Sequence, residues 1–200
     1  MLLMMTSSRH PLLHWFAVRT LAWTLAATLL AGCAVNNVKR DTDTADLMLD
    51  GHDPVSYFNA PAPLRGSDAR QFQYAHGTYR FASDANLAAF RAAPERYAPR
   101  YGGFCAKGLG YAIRSGGDPT VFEVRDGRLY IFAVPYARDY WRTDAADFIA
   151  KADGYWKTEL ADTPVRWTNL KRWIFRVPHY KTYPEEFAEY TRRTGKPAPR

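Results

Sequence analysis

Cysteine is nearly absent from this chain: Cys33 and Cys105 are the two it has. That scarcity excludes a disulfide scaffold and a four-thiolate zinc site. No apolar run reaches the roughly 18 residues of a permanent transmembrane helix. There is no C-x-x-C pair, no phosphate-cradling glycine loop and no Ser/His/Asp pattern, so the chain is not expected to be an enzyme. What is present fits a globular protein. Hydrophobic residues make up 47% and charged residues 24%, which excludes a mostly disordered chain. Thirteen prolines and thirteen glycines in 200 residues argue against a coiled coil or a long helical bundle. The net charge is +7, and no internal repeat or low-complexity segment is read.

Residues 1–32 carry no Asp or Glu, and their formal charges are Arg9 and Arg19. A short apolar run, Thr20–Leu30, follows, then Ala31, Gly32 and Cys33. Positive start, short apolar centre and small residues before a cut site describe a secretory signal peptide. Leu30-Ala31-Gly32-Cys33 resembles the bacterial lipobox, which implies lipidation of Cys33 and residues 1–32 as a lipoprotein signal peptide. Ala34 rather than Asp then implies sorting to the outer membrane, with the domain facing the periplasm. The membrane, through lipid on Cys33, is the expected partner, together with an envelope protein. Nucleic acid is not expected at that address, despite the basic, aromatic composition.

Residues 33–45 read as a lipid-anchored linker, with the folded domain over 46–160. Gln71–Tyr74 and Thr78–Phe81 alternate around His76-Gly77 as a tight hairpin does. Ser83 is placed to cap a helix over Asp84–Ala92, ended by Pro94. Tyr101-Gly102-Gly103 predicts a sharp turn. A second hairpin closes at Asp126-Gly127. Pro135 starts a short helix, and Thr143 is expected to cap another that runs to about Leu160 with one face on a sheet. Hairpins alternating with helices, without a parallel crossover pattern, predict a small α+β domain.

Residues 161–200 form a basic, aromatic extension. From Arg166 onward it holds nine Lys or Arg against Glu185, Glu186 and Glu189, interleaved with Trp167, Trp173, Phe175, Tyr180 and Tyr183. Thr182-Tyr183-Pro184-Glu185-Glu186 predicts a helix start and Gly195 its stop. Two uses of this extension stand open. Its aromatics pack on the domain while the charges stay in water, or it forms a surface for anionic lipid or a partner protein.

The segments DGHDPVSYF (50–58), YAHGTYRFASDANLAAFRAAPERYAPRYGGFCA (74–106), GGDPTVFEVRDGRLYIF (116–132) and AKADGYWKTEL (150–160) resemble the YHS-domain proteins. The similarity is to the secreted subgroup, and it covers most of residues 46–160. In metal-binding YHS and related domains the ligands are cysteines, suited to Cu(I) or Zn. The corresponding positions here are Ser56, Ala82 and Asn86, so an inherited thiolate site is not expected.

Cys105 and the histidines remain. His76 stands at the family's histidine position, and His52 is a feature of this chain. A cluster of Cys105, His76 and His52, with Asp53 beside it, would suit one copper or zinc ion if the fold gathers them. Each residue also has a plainer use. Cys105 serves as a buried apolar thiol, His76 as a turn residue and Asp53 as a turn cap. The expected function is a binding protein that takes a metal ion or small ligand near Cys105.

Overall fold

Turn chemistry and side-chain alternation build two hairpins, and helices cover them. The computed structural model describes residues 39–41, 44–75, 77–161, 165–175 and 181–197, all within one unit, Val35–Arg200. Strands β1 (Lys39–Asp41) and β2 (Thr44–Leu47) pair antiparallel. Strand pairing thus starts inside the segment read as a linker. β3 (Ser67–Tyr74) and β4 (Gly77–Phe81) form the first predicted hairpin, and the sheet runs β1-β2-β4-β3. β2 meets β4 in parallel at Leu47↔Thr78. That pairing was not anticipated, because a single register pair leaves no crossover pattern in the sequence. β5 (Asp118–Arg125) and β6 (Arg128–Phe132) form the second sheet. Asp126 and Gly127 both take positive φ, 51° and 69°, as a two-residue type I′ turn demands.

Eight helices complete the described residues: α1 (Ser56–Asn59), α2 (Asp84–Ala92), α3 (Pro94–Tyr97), α4 (Ala106–Leu109), α5 (Pro135–Arg142), α6 (Ala145–Tyr155), α7 (Val165–Phe175) and α8 (Tyr183–Thr194). The α+β class holds. Ser83 caps α2, its hydroxyl accepting the Asn86 N–H at 3.1 Å. Asp144, not Thr143, caps α6 by accepting the Asp147 N–H at 3.4 Å. The Thr143 hydroxyl is engaged elsewhere, donating to the Tyr140 carbonyl at 2.7 Å. The helix continues through a π turn, Trp156–Leu160. Its apolar face meets α4 rather than chiefly a sheet, with Phe148 edge-on to Tyr111 and Tyr140. Thr182 and Glu185 form a capping box at α8, and Gly195 ends it at φ 70°.

The fold contains an internal repeat that the sequence did not disclose. Adding 51 to each residue converts all five register pairs of β3–β4 into those of β5–β6, including the place where the register shifts. Ala75 and Asp126, the first turn residues, both have positive φ. Ahead of each hairpin lies a left-handed turn, Leu49-Asp50-Gly51 in the first half and Tyr101-Gly102-Gly103 in the second. A one-turn helix follows each, α1 or α4, and a longer helix follows each hairpin, α2 or α5. The cores repeat as well. Phe81 and Tyr79 lie 5.2 and 4.8 Å from Phe90, while Phe132 and Tyr130 each lie 5.2 Å from Trp141. The repeat resides in backbone register and ring packing, with few identical residues to betray it.

Candidate functional site

Asp53 follows the first left-handed turn and is completely buried. One carboxylate oxygen accepts the Val55 N–H at 2.8 Å, closing a turn around Pro54. The other accepts the Ala82 N–H at 2.8 Å and the Asn86 Nδ2–H at 2.7 Å. The Ser56 hydroxyl donates to the Asp53 carbonyl at 2.6 Å and accepts the Leu64 N–H at 2.9 Å. Ser56, Ala82 and Asn86, the positions that the resemblance sets against metal-binding cysteines, therefore gather around one residue, Asp53. A hydroxyl bonded to the Asp53 carbonyl, a methyl and an amide bonded to its carboxylate do not fit a thiophilic ion. Asp53 acts as a turn cap and cross-tie, holding α1 to the start of α2.

Cys105 follows the second left-handed turn and is also buried, at 2% exposure. It borders a cavity of about 380 Å³. Residues from α4 and its following loop (Lys107, Tyr111, Ile113) form one side, and Ala133, Val134 and Ala137 at the start of α5 form another. Lys181 and Glu186, from the extension, complete it. The Lys107 ammonium contacts the Glu186 carboxylate inside the fold. It lies 5.3 Å from the ring centre of Tyr111 and 5.7 Å from those of Tyr136 and Tyr140, a cage of three π faces. The Tyr136 hydroxyl donates to the second Glu186 oxygen at 3.0 Å. Burial pushes Lys107 down from the ordinary lysine range to about 8. Contact with Glu186 opposes that desolvation and favours the charged form at neutral pH. Lys181 pairs with Glu189, which also takes Arg193 at 2.6 Å.

Cys105 and His52, the two proposed metal ligands among the described residues, sit in different halves of the repeat. Cys105 belongs to the second half of the repeat and packs in its core. His52 belongs to the first half, its Nδ1 2.8 Å from the Leu49 carbonyl and its backbone bridged to Arg65. His76 and Cys33 lie outside the described residues. Among the described residues, no three His, Cys, Asp or Glu side chains are grouped to hold an ion.

Lys107, Tyr136, Lys181 and Glu186 had not been singled out from the sequence. One signal was available for Lys107: it is the lone charge in the apolar stretch Gly102–Ile113.

The two helices of the extension meet the domain differently. α8 buries Tyr190 and Glu186 against the domain and sets Phe187 edge-on to Tyr136, 5.5 Å away. α7 is turned the other way. Its buried side is polar: Arg172, 2% exposed, pairs with Glu159 at 2.7 Å and covers the Tyr155 ring. The Asn169 side chain exchanges two hydrogen bonds with the Arg114 backbone, at 3.0 and 2.8 Å. Trp167, Trp173, Ile174 and Phe175 are more than half exposed, at 52, 68, 53 and 67%. Lys171 lies exposed on the same helix. No described helix is long and apolar enough to cross a membrane.

Compared with protein-family models, curated proteins and solved structures, the chain matched none.

Proposed function

We propose that this chain is a lipid-anchored YHS-type protein of the cell envelope, facing the periplasm, that holds a small ligand beside Cys105 without transforming it. The cavity carries this reading. Its volume of about 380 Å³ falls within the roughly 300–1,000 Å³ of small-molecule sites. Its walls combine apolar and aromatic surface with a few convergent polar groups, the usual composition of such a site. A thiol-sized probe tests whether the cavity reaches the sulfur. Methyl methanethiosulfonate is expected to modify Cys105 in the folded, full-length protein, read by peptide mass mapping. A fluorescein-sized iodoacetamide is expected to leave it intact. Equal rates for both, matching the rate of global unfolding, would show that the thiol is reached only by unfolding.

A second reading has its own observation, the outward apolar side of α7. Tryptophan and phenylalanine flanking a lysine suit the headgroup region of an anionic bilayer. Polar ties to Glu159 and Arg114 hold the helix in that orientation. The Cys33→Ala chain, which cannot be acylated there, is expected to sediment with phosphatidylglycerol vesicles and shift its tryptophan emission to the blue. Trp173→Ser/Phe175→Ser should abolish both effects. Unchanged sedimentation in that variant, or concentration-dependent dimers in place of vesicle binding, would reject the membrane as occupant.

A further inference from the structure

We infer that the ligand of the Cys105 cavity enters with a carboxylate, seated in the place that Asp53 fills in the first half of the fold. The inference rests on the small-ligand reading and adds the chemical class. Its basis is the internal repeat, because one backbone hydrogen bond recurs in both halves at this point. The Asp53 N–H donates to the Leu64 carbonyl at 2.8 Å, and the Cys105 N–H donates to the Ser115 carbonyl at 3.0 Å. Leu64 and Ser115 are related by the same step of 51 that relates the hairpins. Asp53 and Cys105 stand 52 positions apart, the step that relates the two left-handed turns, so the second half is one residue shorter between that turn and its hairpin. The shared hydrogen bond makes Cys105 the counterpart of Asp53. By the hairpin step, Ala133 is the counterpart of Ala82 and Ala137 of Asn86.

In the first half, the Asp53 carboxylate fills its seat and takes donors from Ala82 and Asn86. In the second half, a thiol replaces the carboxylate and a methyl replaces the amide. Both changes remove atoms from the same place, and Cys105, Ala133 and Ala137 all border the cavity. These exchanges leave one corner of the cavity without a carboxylate and an amide, and most of its volume of about 380 Å³ extends beyond that corner, room for the rest of a ligand. A ligand carboxylate placed there would meet the peptide edge of Ala133 at the start of the eight-residue helix α5. Lys107 and Lys181 stand at the wall, paired with Glu186 and Glu189, and among the described residues Glu186 is the one acidic side chain lining it. Glu186 is already committed to Lys107 and Tyr136. The apolar remainder of the ligand would lie against Ile113, Val134 and Tyr136.

Hexanoate and benzoate, each compared with the corresponding alcohol, test this on the full-length protein by calorimetric titration. The carboxylates are expected to bind about tenfold more tightly than hexanol and benzyl alcohol, because hydrogen bonds to an ionised acceptor are the stronger ones. Cys105→Asp supplies the missing carboxylate from the chain itself and is expected to abolish carboxylate binding while the circular dichroism stays native. Ala137→Asn restores the amide donor alone and is expected to tighten carboxylate binding while leaving the alcohols unchanged, which keeps the inference testable should Cys105→Asp fail to fold. Alcohols binding as tightly as acids would overturn the carboxylate inference and leave the cavity reading intact. Carboxylate binding that persists in the folded Cys105→Asp protein, or that Ala137→Asn does not change, would place the acid elsewhere and also overturn it. No binding of either class, together with a thiol closed to the small thiosulfonate, would defeat both.

Discussion

Asp53→Ala is expected to destabilise the protein by about 4 kcal/mol, among the largest effects of any single truncation. The side chain buries no charge partner. It instead collects two backbone N–H groups and an amide from three separate points of the chain. Alanine would leave those donors buried without an acceptor, and each such loss costs roughly 1–3 kcal/mol. Thermal denaturation should show a fall of roughly 10 °C in Tm. Asp53→Asn keeps the volume but turns an N–H₂ toward existing donors, so it should recover little of the loss. A change within about 0.5 kcal/mol, the range of ordinary surface substitutions, would show that the three donors find other acceptors.

Lys107→Met should cost about 3 kcal/mol by isolating the Glu186 carboxylate inside the fold. The ammonium and carboxylate are both buried, at 7 and 5% exposure, so water cannot replace the lost partner. The double variant Lys107→Met/Glu186→Leu removes both charges and should recover most of that loss, since a well-packed apolar pair often matches a buried ion pair. Urea midpoints of the two single variants and the double variant measure the coupling directly. Strict additivity would mean that the pair does not act as a unit. The same comparison reports on the extension, because the coupling links α4 to α8.

Much of the fold was legible because its signals are local. Ser83, Pro135, Asp126-Gly127 and Gly195 each act within a few residues of the structure they set. Tail helix α7 escaped notice because its apolar residues face outward, so its pattern describes a surface and not a packed stripe. Thr143 was preferred over Asp144 as a cap because two adjacent oxygen-bearing residues compete, and the backbone decided between them. The site was less legible than the fold. Cys105 attracted attention for chemical reasons, and the structure does place it at a cavity. Its companions come from α4, α5 and the C-terminal extension, and no spacing rule joins Cys105 to Glu186 across 81 positions of sequence. Asp53 invited a ligand role by composition, but its neighbours in space turned out to be the chain's own N–H groups. The repeat was hidden for a related reason: Tyr79 and Tyr130 or Phe81 and Phe132 match, but most intervening residues do not.

Two copies of one structural unit offer a division of labour. One copy can remain fixed as the mechanical foundation, since a polar knot that joins distant segments tolerates almost no change. Its twin, relieved of that duty, is free to lose the same knot and drift. Here the first copy has a carboxylate tie, and the second has a thiol and an open space at the corresponding place. Rigidity and receptivity need not compete for the same residues in such a molecule. Substitutions around the second seat leave untouched the tie by which the first holds the chain in shape.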